Sequence, residues 1–134
     1  MADLVVKKQS PDYSRSESLI QESEKSFTIL QDFVKINGIN DTNANHIIKN
    51  AYDIIMESVR ARMFREGFGS SGQGAHDAEV AYIRELGFKE SEVEFANQLR
   101  YFRNGILYYG KCFDSEYARK VLTFLDKIYS KLKK

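Results

Sequence analysis

Apolar residues recur at intervals of three and four along nearly the whole chain, and the single proline, Pro11, stands ahead of every such stretch. That spacing puts one apolar stripe on each of a series of helices and favours a helix-rich protein over a sheet protein. From about Tyr13 to Ile36 the stripe is Leu19, Ile20, Phe27, Leu30 and Val34. Gly38 and the polar run Asn40-Asp41-Thr42-Asn43 stop that helix and cap the next. The second helix is expected from about Ala44 to Phe64, with Ile48, Ala51, Ile55 and Val59 facing inward and Ile47, Ile54 and Met63 widening the stripe. A short third helix from about His76 to Leu86 carries Ala78, Tyr82 and Leu86, and Gly87 ends it. Ser91, with Glu94 three residues on, is the expected capping box of a fourth helix, in which Phe95, Leu99, Phe102 and Ile106 share a face. Gly110 closes that helix. Asp114 or Ser115 caps a last one, with Ala118, Val121, Leu122, Leu125, Ile128 and Leu132 inward.

Four long amphipathic helices on short connections are most economically an all-α, up-and-down four-helix bundle, with the short helix as an extra element in one connection. At 134 residues the chain is one ordinary domain. Residues 1–11 read as a flexible tail and 12–134 as the single helical domain. Leu4, Val5 and Val6 form an apolar run that can dock, too short to specify where. Gly67 to Gly74 is a flexible loop by composition. The stripe of the second helix is wide enough either for a homodimer face or for a thick monomeric core.

Composition narrows the functional classes. Hydrophobic residues make up 43% of the chain, enough for a real core. The formal net charge is +1, so a polyanion contact has to come from a local patch. Cys112 is the only cysteine, which excludes an internal disulfide and fits a reducing cytoplasm. No apolar run approaches the roughly 20 residues that span a bilayer, and the start lacks the apolar stretch of a signal peptide, so the expectation is a cytoplasmic protein with no membrane partner. Two histidines among scattered acids are no metal-ligand set, and no cofactor is implied. The glycine loop lacks the Gly-Lys-Ser/Thr ending and a preceding strand, so it is not a P-loop.

The segment Leu99-Arg100-Tyr101-Phe102-Arg103-Asn104-Gly105-Ile106-Leu107-Tyr108-Tyr109-Gly110 carries the chemistry. Arg100 and Arg103 are three residues apart and project from one helical face, so something anionic has to answer them. Internal acids one turn apart on the second helix, Asp53 and Glu57, are one answer, and an outside phosphate is the other. Arg is the side chain best suited to hold a phosphate in two parallel hydrogen bonds. Tyr108 and Tyr109 are either half-buried amphipathic side chains or stacking platforms for bases. Asn104 either satisfies backbone groups near the helix end or joins the arginine site.

The order of elements, the glycine-rich loop leading into Ala75-His76, and Arg103-Asn104 followed by Tyr108-Tyr109-Gly110 resemble the HEPN domain superfamily over roughly Tyr13 to the C-terminus. Its usual mark is an Arg, often followed by a polar residue such as Asn, with a His a few residues later, near the end of the penultimate core helix. The resemblance implies an all-α bundle, commonly dimeric, associated with RNA binding or metal-independent RNA cleavage, and often with a nucleotidyltransferase partner in toxin–antitoxin pairs. It implies Arg103, Asn104 and Tyr108 as the catalytic set, and Arg100, Arg103, Tyr109 and His76 as the RNA- or phosphate-binding set. Tyr108 or Tyr109 stands where active members carry His. Tyrosine, with an ordinary pKa of about 10, is a poor base near neutrality. The phosphate-holding half of such a site is kept and the proton-transfer half is missing. The expected function is therefore a binding or regulatory member or a weak ribonuclease, the alternative being a protein-interaction partner of a nucleotidyltransferase.

The basic run Arg60-Ala61-Arg62-Met63-Phe64-Arg65 has two readings as well. Cations offset the dipole at a helix C-terminus, or they extend a phosphate-tracking surface from Arg100 and Arg103. Lys131, Lys133 and Lys134 carry the same ambiguity. His46 reads as a solvated residue near the start of the second helix.

Overall fold

The computed structural model describes residues 7–69 and 75–132. The expectations for residues 1–6, for the 70–74 part of the glycine loop and for Lys133 and Lys134 lie outside the described residues. Within them are five helices: α1 (Tyr13–Asn37), α2 (Ala44–Arg65), α3 (Ala75–Glu85), α4 (Glu90–Tyr109) and α5 (Ser115–Leu132). The protein is an all-α helical bundle. Helix α2 is its axis, with α1 and α5 packed along it and α3 and α4 packed on each other and on α2.

Burial follows the stripes. Ile47, Ile48, Ala51, Ile54, Ile55, Val59 and Met63 of α2 are all buried, against Leu30 of α1, Ala78, Tyr82 and Ile83 of α3, Val93, Ala96 and Leu99 of α4, and Val121, Leu125 and Ile128 of α5. The extra width of the α2 stripe is thus used inside one chain, because α1, α3, α4 and α5 all pack on α2 and leave only the narrow stripe of His46, Asn50 and Asp53, with Arg65 at the helix end, exposed. That width therefore gives no argument for a second copy. Between α4 and α5 the core is aromatic. Phe95 and Phe102 meet Phe113, Tyr117 and Phe124 with ring centroids 4.8 to 5.9 Å apart, mostly tilted or edge-on, the favoured geometry for ring pairs.

Polar staples set the ends. Asn45, in the first turn of α2, donates to the Lys111 carbonyl at 2.7 Å and accepts from the Phe113 N–H at 2.9 Å, which ties the α4–α5 connection to α2. Asp41 accepts from the Ser115 N–H at 2.8 Å, and Asp114 caps α5 by accepting from the Tyr117 N–H at 2.9 Å. Helix α4 starts earlier than the Ser91 capping box would allow. It begins after Lys89, whose N–H is taken by the Glu92 carboxylate at 2.9 Å, and not at Ser91 with Glu94.

Residues 7–11, expected as the end of a tail, have definite partners. Lys7–Lys8 (β1) pairs antiparallel with Phe68–Gly69 (β2) in the register Lys7 to Gly69 and Lys8 to Phe68. The Gln9 N–H then reaches the Gly67 carbonyl at 2.6 Å, and the Asp12 N–H reaches the Phe64 carbonyl at 2.9 Å. Gly67, at φ 80°, sits so close that an added Cβ would lie 2.6 Å from the Gln9 carbonyl oxygen. This junction fixes where α1 enters against the end of α2.

Candidate functional site

Arg100 and Arg103 lie on the face of α4 that looks across α2 and α3. The Arg103 Nη2 donates to Asp53 of α2 at 3.2 Å, and its guanidinium carbon lies 5.5 Å from the centre of the Tyr52 ring. The Arg103 side chain is 25% exposed, and its buried Nε has no hydrogen-bond partner. The Arg100 Nη1 donates to Asp77 of α3 at 2.5 Å, and its guanidinium lies 4.9 Å from the Tyr101 ring centre. Both acids are about half exposed, so each arginine is held by a carboxylate that water also reaches. Of the two acids read from the sequence as internal answers, Asp53 meets Arg103. Glu57 makes no ion pair with either arginine among the described residues. Burial raises its carboxyl above the usual range, with Glu22 adding to the effect.

Beneath this pair lies a second, deeper ion pair. Glu79 of α3 has a side chain only 2% exposed and receives two hydrogen bonds from Arg60 of α2, Nε to Oε2 at 2.6 Å and Nη2 to Oε1 at 3.3 Å. Burial pulls the Arg60 guanidinium down, but the Glu79 hydrogen bond and charge raise it on balance. Tyr52 is buried between the two ion pairs. Burial, and then the Glu79 charge, push its phenol up to about 12, with the opposing pull of Arg103 and Arg100 too small to reverse this. The phenol is therefore fully protonated at neutral pH and is no proton acceptor.

The remaining expected residues spread out. Asn104 is half-buried on the same helix, two turns short of the Gly110 stop. Tyr101 is 60% and Tyr109 80% exposed, so both present open rings. Tyr108 lies in the last turn of α4 and His76 in the first turn of α3, but their side chains lie outside the described residues. The basic run at the end of α2 splits. Arg60 belongs to the buried pair with Glu79, Arg62 bonds Glu66 at 3.1 Å and the Leu132 carbonyl at 3.3 Å, and Arg65 is exposed. It is therefore not one phosphate-tracking surface continuous with Arg103. Cations in the last turn do suit the α2 dipole. His46 is exposed, with its ring 4.8 Å from Phe33.

Tyr52, Asp77 and Glu79 went unread in the sequence. Glu79 sits in the run Ala78-Glu79-Val80-Ala81, where only the apolar neighbours signal burial. A charge within such a run is the signal that could have found it, since a buried carboxylate needs a cation.

Chemically, the arrangement offers two guanidiniums on one helix face, each held by a half-exposed carboxylate, with the exposed Tyr101 ring beside Arg100. Among the described residues no group of three or more His, Cys, Asp or Glu side chains could hold a metal ion, and no helix is long and apolar enough to cross a membrane. Compared with protein-family models, curated proteins and solved structures, the chain matches none.

Proposed function

We propose that this chain is an HEPN-like RNA-associated protein that binds RNA phosphate through Arg103 and Arg100, as a binding or regulatory member of a toxin–antitoxin type system. The observation that carries the reading is that Arg103, still 25% exposed, is held by a single, half-exposed carboxylate. A phosphate that reaches the exposed part of this guanidinium can replace Asp53 with two parallel hydrogen bonds. Tyr101 and Tyr109 supply exposed rings on which unpaired bases can stack. The order of five helices, with Arg103-Asn104 on the penultimate one, supports the HEPN-like reading.

Binding is favoured over cleavage. The carboxylates nearest the arginines are engaged in ion pairs, and the Tyr52 phenol is held protonated. Neither group is left free beside Arg103 and Asn104 to take a proton. A second reading, contact with a nucleotidyltransferase protein or with a second copy of this chain, draws on Leu107, an apolar side chain left 45% exposed on α4.

The test is fluorescence anisotropy with an unstructured single-stranded RNA across a series of potassium chloride concentrations. Two phosphate contacts give a log–log salt slope of about −1.4. Arg103→Ala halves that slope and weakens binding about tenfold. Asp53→Asn, which frees Arg103, strengthens binding. An Arg103→Ala protein that folds and binds like the parent removes this face from the function.

A further inference from the structure

We infer that the cleft between α1 and α5, floored by α2, binds a free α-amino acid with a cationic side chain, of the lysine or arginine type. The cleft has a volume of about 270 Å³ and shares no residue with the α4 arginine site. Ligand pockets usually run about 300–1,000 Å³, so its occupant is small.

The cleft exists because α1 gives up its core side chains here. Ser16, Ser23 and Leu30 stand seven residues apart on one face of α1, and all three are buried, yet only Leu30 is apolar. Ser58 of α2 is buried opposite them. All three hydroxyls spend their proton on a backbone carbonyl: Ser16 on Ala61 at 2.8 Å, Ser23 on Ile20 at 3.0 Å and Ser58 on Ile54 at 2.8 Å. Each oxygen is left as an acceptor, so the floor calls for donors.

Charge specifies the rest. Glu17 and Glu24 line the cleft two turns apart on α1, about 10.5 Å along the axis. Of the two lining arginines, Arg62 is engaged by Glu66 and the Leu132 carbonyl, whereas Arg65 is in no ion pair among the described residues. Arg65 lies one turn beyond Ala61, the acceptor of Ser16, and so stands at the Glu17 end. Two carboxylates and one free guanidinium call for a ligand with two cationic groups and one carboxylate. The α-carboxylate goes to Arg65, and the α-ammonium goes to Glu17 and the Ser16 oxygen. The aliphatic stem lies along Ile20, and the terminal cation reaches Glu24 and Ser23 beside Tyr129, whose ring stacks on Phe27 at 4.3 Å. Burial, and then the Glu24 charge, push the Tyr129 phenol up, which puts that carboxylate close to the ring. A diamine leaves Arg65 unanswered, and a simple anion meets two glutamates.

Isothermal titration of the full chain with millimolar L-lysine and L-arginine tests this. At least one binds, and it raises the melting temperature. Norleucine, which lacks the terminal cation, cadaverine, which lacks the carboxylate, and Nα-acetyl-lysine, which lacks the α-ammonium, each bind at least tenfold more weakly. Glu24→Gln and Arg65→Ala, both at exposed positions, lose at least tenfold in affinity with an unchanged helical circular-dichroism spectrum. Silence with both amino acids, equal binding of any of the three analogues, or parental affinity in both variants overturns the assignment. The ligand series on the parent protein decides it even where a variant fails to fold.

Discussion

Arg60 and Glu79 form the most demanding pair in the molecule, because the carboxylate is almost wholly removed from water while the guanidinium still reaches it. Removing the cation takes the guanidinium away from a buried carboxylate, an effect typically worth about 3–5 kcal/mol. Arg60→Ala is therefore expected to destabilise the protein by about 3 kcal/mol in urea unfolding, far more than a substitution at the exposed Arg65. A loss under 1 kcal/mol would mean that water already reaches Glu79. Tyrosine makes a second, independent prediction. Tyr52 and Tyr117 are both pushed up to about 12, Tyr52 by burial and then Glu79, Tyr117 by burial. A phenol whose folded pKa is raised stabilises the fold below its unfolded pKa, near 10, and that contribution disappears as pH rises through 12. Absorbance titration should show tyrosine ionisation extending to about pH 12, and unfolding stability should fall between pH 10 and 12. Tyr52→Phe should flatten that fall. The site was half legible at this scale. Two arginines three apart announce a shared face, and Asp53 was within reach of inference because it lies on the apolar helix facing them. Asp77 and Glu79 were not, because which carboxylate meets which arginine depends on how α3 docks, and no local spacing encodes that.

Glycine positions make the sharpest contrast at the scale of elements. Gly110 ends α4 in the left-handed conformation at φ 63°, and an added Cβ there meets nothing within 4 Å. Gly110→Ala therefore costs only the conformational penalty, about 1 kcal/mol. Gly67 has φ 80° and, in addition, the Gln9 carbonyl 2.6 Å from where a Cβ would go. Gly67→Ala is expected to cost at least about 2 kcal/mol and to break the β1–β2 junction. Thermal denaturation of the two variants side by side checks the order, and equal losses would mean that residues 7–9 do not hold α1 in place. Helix ends were readable from sequence wherever a glycine or an Asp cap marks them, as at Gly38, Gly87, Gly110 and Asp114. The start of α4 was not, because Glu92 takes the Lys89 N–H and leaves Ser91 inside the first turn. The β1–β2 ladder was invisible for a related reason: two residues on each side carry no periodicity, and only the chain's return to the end of α2 brings them together.

For the whole molecule, the deciding fact is that α2 is far more buried than α1. Twelve residues of α2 are buried, against three of α1, two of which are serines. Ile29 and Ile36 on the outer face of α1 are 68% and 81% exposed. A helix with so little buried apolar surface can detach without dismantling the core of α2, α4 and α5, whereas the amides along the buried faces of α2 reach water only when its neighbours leave. Native-state hydrogen exchange sorts elements by this difference, since amides that open only with global unfolding report the full stability. The expected order is slowest exchange over Ile47–Val59 of α2, intermediate rates in α4 and α5, and faster exchange in α1, fastest toward its C-terminal turn near Ile36. Amides of α1 that outlast those of α2 would reverse the hierarchy. A lysine- or arginine-type ligand in the α1–α5 cleft sharpens this measurement. By joining Glu17 and Glu24 of α1 to Arg65 of α2, it would slow exchange in α1 selectively and leave the α2 rates, already limited by global opening, shifted only by the ligand's contribution to overall stability.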